Sequence, residues 1–264
     1  MNNSKLVIVR GAGDIATGII YVLKKFSYNV VALDIDKPSV IRRTVSLADA
    51  MYNGTSKVED LVGIRCDSLG DIYNTIERGQ IPIVNDPEGE YIRLIRPDIV
   101  VDSILAKKNL GTNIDMANIV IGVGPGFMAN VHVHAVVESN RGHYLGRVIY
   151  DGEAQSNTGI PSEIGGYSLE RVIKSSCEGY VKNILKIGDK VKKDDVIAMI
   201  GDVEVVATID GILRGLIKDG YYVPINFKIA DIDPICNVNH CYSITDKARL
   251  IGFGVLEAIH ELEN

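Results

Sequence analysis

The feature that most constrains this chain is a series of short runs that are apolar on both faces. LVIVR (6–10), NVVALD (29–34), IPIVND (81–86), DIVVDSIL (98–105) and NIVIGVG (118–124) recur through the first half, too short for helices and too continuous for half-exposed strands. Between the first two, Ile15, Ile19, Val22, Leu23 and Phe26 fall at helical spacing. A polar helix-like stretch follows around 46–53, and SLGDIYNTIERG (68–79) reads as a helix ending at Gly79. Strands buried on both faces and separated by helices predict a Rossmann-like, mostly parallel sheet covered on both sides, an α/β domain over residues 1–165.

The second half changes period. Glycines recur between 142 and 235, the elements shorten, and turn signals come every eight to twelve residues. KIGDKVKKDDVIAMI and KDGYYVPINFKIADI look like two copies of one unit: a Gly turn, a short strand, a turn, and a second strand ending in Ile. That quasi-repeat resembles the biotinyl/lipoyl barrel-sandwich, so an all-β barrel-sandwich unit is expected over 166–240. A swinging-arm carrier needs a lysine at the hairpin between its halves. The matching stretch MIGDVEVVATIDG (199–211) has none, so the resemblance brings no biotinylation or lipoylation. A C-terminal helix is expected within 241–264, from about Asp246 to Glu261. Thr245 would be its N-cap, and Leu250, Ile251, Val255, Leu256 and Ile259 its buried face.

Charge and composition exclude several classes. The net charge is −6 with no basic stripe, which argues against nucleic acid. No apolar stretch approaches the roughly 18 to 20 residues that span a bilayer, and MNNSK leads straight into a strand without a secretory core. Cys66, Cys177, Cys236 and Cys241 form no CxxC pair, so reduced thiols in the cytoplasm are expected.

The main candidate site is the first Gly-rich turn. Gly11-Ala12-Gly13-Asp14-Ile15-Ala16, after a strand and before a helix, fits G-x-G-x-x-A. Glycines there permit the tight turn and the approach of a pyrophosphate, and Asp34, 23 residues on at the end of the second strand, would accept a ribose hydroxyl. Asp14 opposes that reading. Its carboxylate can satisfy the free amides itself, and close to a phosphate it would repel the ligand. Two alternatives stand: a self-capped turn that binds nothing, or an anion set beside Asp14 with Arg10, Arg42 or Arg43 balancing the charge. A second Gly turn carries Gly124 and Gly126, and Lys107 follows the strand before it, all at strand ends where open α/β sheets place ligands.

Two histidines, His132 and His134, two residues apart, would share one face of a strand. With Glu138 and His143 they could ligate a metal, although hydrogen-bonded sheet residues read the same way. Cys236, His240 and Cys241 match no defensible zinc spacing. The polar loop NTGIPSEIGG (157–166) fits either a ligand loop or a linker.

Several stretches together carry a family resemblance: VRGAGDIATG (9–18), DKPSVIRRTVSLADAMYNG (36–54), DSILAKKNLGT (102–112), GVGPGF (122–127), HAVVESNRGHYLGRVI (134–149), NTGIP (157–161) and ITDKARLIGFGVLEAI (244–259). In that order they resemble the YqeB-type accessory proteins of selenium-dependent molybdenum hydroxylase systems, over nearly the whole chain. The resemblance implies a cytoplasmic maturation factor partnered by a molybdenum hydroxylase or its maturation machinery, and it supplies no agreed catalytic residues. Here Asp34 stands for an expected Glu, Phe253 for a Gly, and Cys236 for an Arg, while His134 and Cys241 match.

The combined expectation is an accessory factor holding a small nucleotide ligand, NAD(P) or molybdopterin dinucleotide, at Gly11, Gly13, Asp14 and Asp34. Arg42, Arg43, Lys107, Gly124 and Gly126 would line the same cleft. The alternatives are an NAD(P)-dependent oxidoreductase with His134 or His143 as proton donor, and a non-catalytic scaffold docking on a hydroxylase. Homo-oligomerisation is left open.

Overall fold

A computed structural model describes residues 5–157 and 159–264. The readings made on MNNS and on Thr158 in the 157–166 loop lie outside the described residues. The chain divides into two compact units: residues 1–38, 46–157 and 244–264 form the first, and 39–45 with 158–243 the second.

The first unit is built on a nine-stranded sheet. In chain order its strands are β1 (Leu6–Arg10), β2 (Asn29–Asp34), β3 (Thr55–Val58), β4 (Leu61–Cys66), β5 (Ile81–Asn85), β6 (Ile99–Asp102), β7 (Ile119–Val123), β9 (Ala135–Val137) and β10 (Val148–Ile149), in spatial order β10-β9-β7-β6-β1-β2-β5-β4-β3. Strand β8 (Met128–Ala129) pairs apart from it with β11 (Gly152–Glu153). The central pairings are parallel, and the edge pairs β3–β4 and β9–β10 are antiparallel. Val7, Ile8 and Val9 of β1 and Ile99, Val100 and Val101 of β6 are fully buried, which is why these strands show no polar alternation.

The helices of this unit that precede the second unit in the chain are α1 (Asp14–Lys25), α2 (Ala50–Asn53), α3 (Leu69–Glu77) and α4 (Glu90–Ile95). They are followed, after the second unit, by α5 (Asp246–Leu262). Ser68 caps α3 by accepting from Asp71 N at 3.2 Å, and Thr245 caps α5 by accepting from Ala248 N at 3.1 Å. Helix α1 packs closely on α5: a Cβ added at Gly18 would lie 2.5 Å from Ala248 Cβ, and one at Gly252 would lie 2.9 Å from Gly18 O. Sandwiched in this way, α1 buries Ile15, Ile19, Ile20, Val22 and Leu23, and each such aliphatic side chain is worth about 1.5–3 kcal/mol.

The second unit contains β12 (Val172–Lys174), β13 (Gly179–Asn183), β14 (Lys190–Val191), β15 (Val196–Ile200), β16 (Val203–Val206), β17 (Gly211–Leu216), β18 (Tyr222–Val223) and β19 (Lys228–Asp233). They form two antiparallel sheets, β12-β19-β17-β14 and β16-β15-β13-β18. Ile197, Leu213, Ile217, Val223, Ile229 and Ile232 share one core with Ile41.

This architecture corrects the expected one of a Rossmann-like sheet followed by a barrel-sandwich. The large sheet is mixed, and β5 lies between β2 and β4. The crossover from β6 to β7 carries only a 3-10 turn, Ile114–Met116, where a doubly wound sheet would place a helix. The β-rich half shows no barrel-sandwich closure. Among the described residues no strand pair joins its two sheets, β14 and β18 are only two residues long, and bulges break the registers at Ile173/Lys174, Val196/Ala198 and Leu213/Gly215. Strands so short and irregular leave edges that cannot zip into a closed layer.

Candidate functional site

The first Gly turn sits where β1 ends and α1 begins. Gly11 takes φ +102°, its N–H donates to Leu33 O at 2.6 Å, and a Cβ there would lie 2.8 Å from Ser103 O. A side chain at this position would therefore be excluded by both conformation and space. Gly13 is the N-cap residue of α1 and offers no side-chain cap; Ile15 N donates to Asp14 Oδ1 at 3.0 Å.

Asp34, at the end of β2, accepts from Ala12 N and from Ile35 N, each at 2.8 Å. Burial pushes its carboxyl pKa up against the pull of those two amides. The acid that would receive a ribose hydroxyl thus also holds the turn in shape, and each oxygen keeps a second lone pair.

Side chains unremarked in the sequence border the turn. Ser103 follows β6, its N–H donates to Arg10 O at 2.8 Å, and its hydroxyl is buried without a hydrogen-bond partner. Ser46 lies on the chain that binds the turn from the other side, through Ala48 N to Ala12 O (2.8 Å) and Leu47 N to Thr17 Oγ1 (3.0 Å). Its hydroxyl is also buried and unpartnered. Lys247, in the first turn of α5, has its ammonium pKa lowered by burial, with Asp14 and Glu138 pulling the other way. Lys247 is thus a cation close enough to Asp14 to feel its charge.

The arginines expected to serve the turn are engaged elsewhere. Arg10 is 2% exposed; its guanidinium reaches Asp102 Oδ2 (3.5 Å), Thr112 Oγ1 (2.5 Å) and the carbonyls of Pro87 (2.9 Å) and Leu110 (3.3 Å). Arg42 and Arg43 belong to the second unit, where Arg42 donates to His240 O (3.0 Å) and Arg43 to Leu216 O (2.9 Å).

The second Gly turn lies on the same edge of the sheet. Gly124 (φ +77°) packs on Ser139, and a Cβ at Gly126 (φ +109°) would lie 2.8 Å from the Lys108 backbone. Lys107 is exposed, next to that contact. Because β2, β1, β6 and β7 are successive neighbours, their C-terminal ends line up Asp34, Gly11–Asp14, Ser103–Lys108 and Gly124–Gly126 along one edge.

The two histidines are each engaged through one ring nitrogen by a backbone amide. His132 Nδ1 accepts from Met128 N (3.0 Å), closing a local turn, and His134 Nδ1 accepts from Val120 N (2.9 Å) on the neighbouring strand β7. Glu138, 2% exposed, accepts from Asn140 N (2.6 Å) and Gln155 N (2.7 Å). His143 is exposed and stands edge-on to Tyr144 at 4.9 Å. Among the described residues no group of three or more His, Cys, Asp or Glu side chains could hold a metal ion. In the second unit His240 Nδ1 meets Asp233 Oδ2 at 2.8 Å, and Cys241 is buried. Among the described residues no helix is long and apolar enough to cross a membrane.

No protein-family model matches the chain. Solved structures with partial overlap include the ectoine utilization protein EutE from Ruegeria pomeroyi (12% identity, 86% of this chain, 56% of that one, TM-score 0.25). An aspartoacylase family protein from Mesorhizobium loti also overlaps (12%, 87% and 84%, 0.28). At such TM-scores neither overlap bears on fold or chemistry. The uncharacterized protein YqeB of Escherichia coli K12 is 47% identical over 255 residues, covering 97% of this chain and 47% of that protein. The chain spans about half the length of that relative. It is a homologue of YqeB over the part of that protein it matches.

Proposed function

We propose that the chain is an accessory factor that binds a nucleotide-bearing ligand through a phosphate at the Gly11–Asp14 turn and works beside molybdenum hydroxylases in their selenium-dependent maturation. The observation that carries the ligand reading is the pair of buried, unpartnered hydroxyls of Ser46 and Ser103 on either side of a helix N-terminus that lacks a side-chain cap. Buried polar groups are normally satisfied, and a phosphate oxygen would accept from such hydroxyls and from the first amides of α1. Lys247 offsets the charge of Asp14, which a phosphate would otherwise meet unscreened. The hydroxylase link rests on what the family resemblance of the ordered stretches implies.

Titration calorimetry with NAD, NADP and molybdopterin dinucleotide tests the ligand. Binding should be weakened at least tenfold in Ser103→Ala. The same variant should be about 1 kcal/mol more stable without ligand, because a buried unsatisfied hydroxyl is removed. Absence of heat with every nucleotide refutes the ligand reading. Failure of a tagged chain to retain a hydroxylase from cells expressing one refutes the partner reading.

A further inference from the structure

The missing crossover helix between β6 and β7 leaves a groove in the first unit, of about 1190 Å³, between α4 and the 110–118 segment. Its ends are fixed by the backbone. At one end Arg10 ties Pro87 O to Leu110 O; at the other, Ile119 N donates to Asp98 O at 3.3 Å. The lining is mainly polar, and Ile92 and Met116 add apolar surface to it.

The groove is electrically polar along its length. Arg93 and Arg96, from the C-terminal part of α4, line it near the Asp98 end, and Glu88 lies at the other. Neither guanidinium has a hydrogen-bond or ion-pair partner among the described residues. Arg96 also holds φ +53°, a left-handed conformation that a non-glycine residue adopts at a cost. His134 lines the same groove. Its Nδ1 is taken by the Val120 amide, so in the neutral ring Nε2 carries the proton and is a donor. Asp98 is the acid at this end, and its Oδ2 accepts from Leu6 N at 2.8 Å.

We propose that this groove is a binding site, separate from the Gly11–Asp14 turn, for a small molecule with one oxyanion head, phosphate or carboxylate, and a short body that lies against Ile92 and Met116. Arg93 and Arg96 receive the head, with the Nε2–H of His134 as a third donor. A guanidinium matches two oxygens of either head. Glu88 at the other end and the exposed Asp115 on the facing segment disfavour a second negative charge, so a polyanion gains nothing over a monoanionic head.

The test uses the full chain at constant ionic strength set with chloride. Inorganic phosphate and butyrate are titrated separately while the amide and imidazole nitrogen resonances are followed, with tripolyphosphate as the polyanion control. Saturable shifts at His134 and Arg96 with phosphate assign a phosphate head, and with butyrate a carboxylate head. Either supports the proposal if Arg93→Ala/Arg96→Ala weakens binding at least tenfold and Ser103→Ala does not. Both arginines are exposed, so the variant should fold, which its amide spectrum checks. No saturation by either probe, equal affinity in wild type and variant, or tighter binding of tripolyphosphate overturns the proposal.

Discussion

Replacing Gly18 by Ala should destabilise the first unit, although alanine is the better helix former. Gly18 lies inside α1, where the exchange alone would favour the helix by about 1 kcal/mol. The new Cβ would, however, lie 2.5 Å from Ala248 Cβ and 2.6 Å from the Ala248 carbonyl carbon and oxygen. Carbon contacts settle near 3.5–4.0 Å, so α1 and α5 must part by about 1 Å. Overpacking of this kind costs about 1–3 kcal/mol, and the neighbour here includes backbone, which cannot rotate away. The net expectation is a loss of about 1–2 kcal/mol, read as a lower urea midpoint by circular dichroism. Gly70→Ala is the internal control. It is in α3, its nearest neighbour would be Ser68 Oγ at 3.8 Å, and it should be stabilising by about 0.5 kcal/mol. If Gly18→Ala is as stable as the wild type, the close approach of α1 and α5 is wrong.

Other perturbations test the electrostatics. Arg10→Met should cost about 3–5 kcal/mol in urea unfolding, because Asp102, 1% exposed, is left charged without its guanidinium; Arg10→Met/Asp102→Leu should recover most of that loss. Arg141 holds the Asp246 carboxyl at a pKa of about 2 through hydrogen bonds of 2.8 Å to both oxygens. Arg141→Ala should return it toward 3.8, seen in a carboxyl titration by nuclear magnetic resonance. A depressed carboxyl stabilises above the unfolded-state pKa, so the stability gap between wild type and variant should be constant at neutral pH and close as pH falls from about 4 to 2.

The strands and helices of the first unit were legible because burial on both faces and helical spacing are written in neighbouring residues. The N-cap at Thr245 and the turn at Gly11 were legible for the same reason. The site was less so. Asp34 was found by its distance from Gly11, but nothing local marks Ser46, Ser103 or Lys247, which reach the turn from distant parts of the chain. Lys247 falls within ITDKARL, a stretch that carries family resemblance but no charge pattern pointing to the turn. Arg10, Arg42 and Arg43 misled because a sequence shows a charge without showing the carbonyl or carboxylate that engages it. The paired histidines carried two readings in the sequence, and only the fold shows that two backbone amides donate to their Nδ1 atoms.

The sequence by itself determined the alternation of buried strands and helices, the turn at Gly11, the short strands of the second half and the kinship to YqeB. These depend on residues close together in the chain, or on identity along its length. Tertiary structure alone decided that β5 inserts beside β2, that the second half forms two sheets without closure, and that a groove replaces a crossover helix. It also decided which charges are spent inside the protein and which remain exposed. The reason is physical: strand order and side-chain partnership are settled by competition among groups up to a hundred or more residues apart, and a local pattern carries no record of who wins.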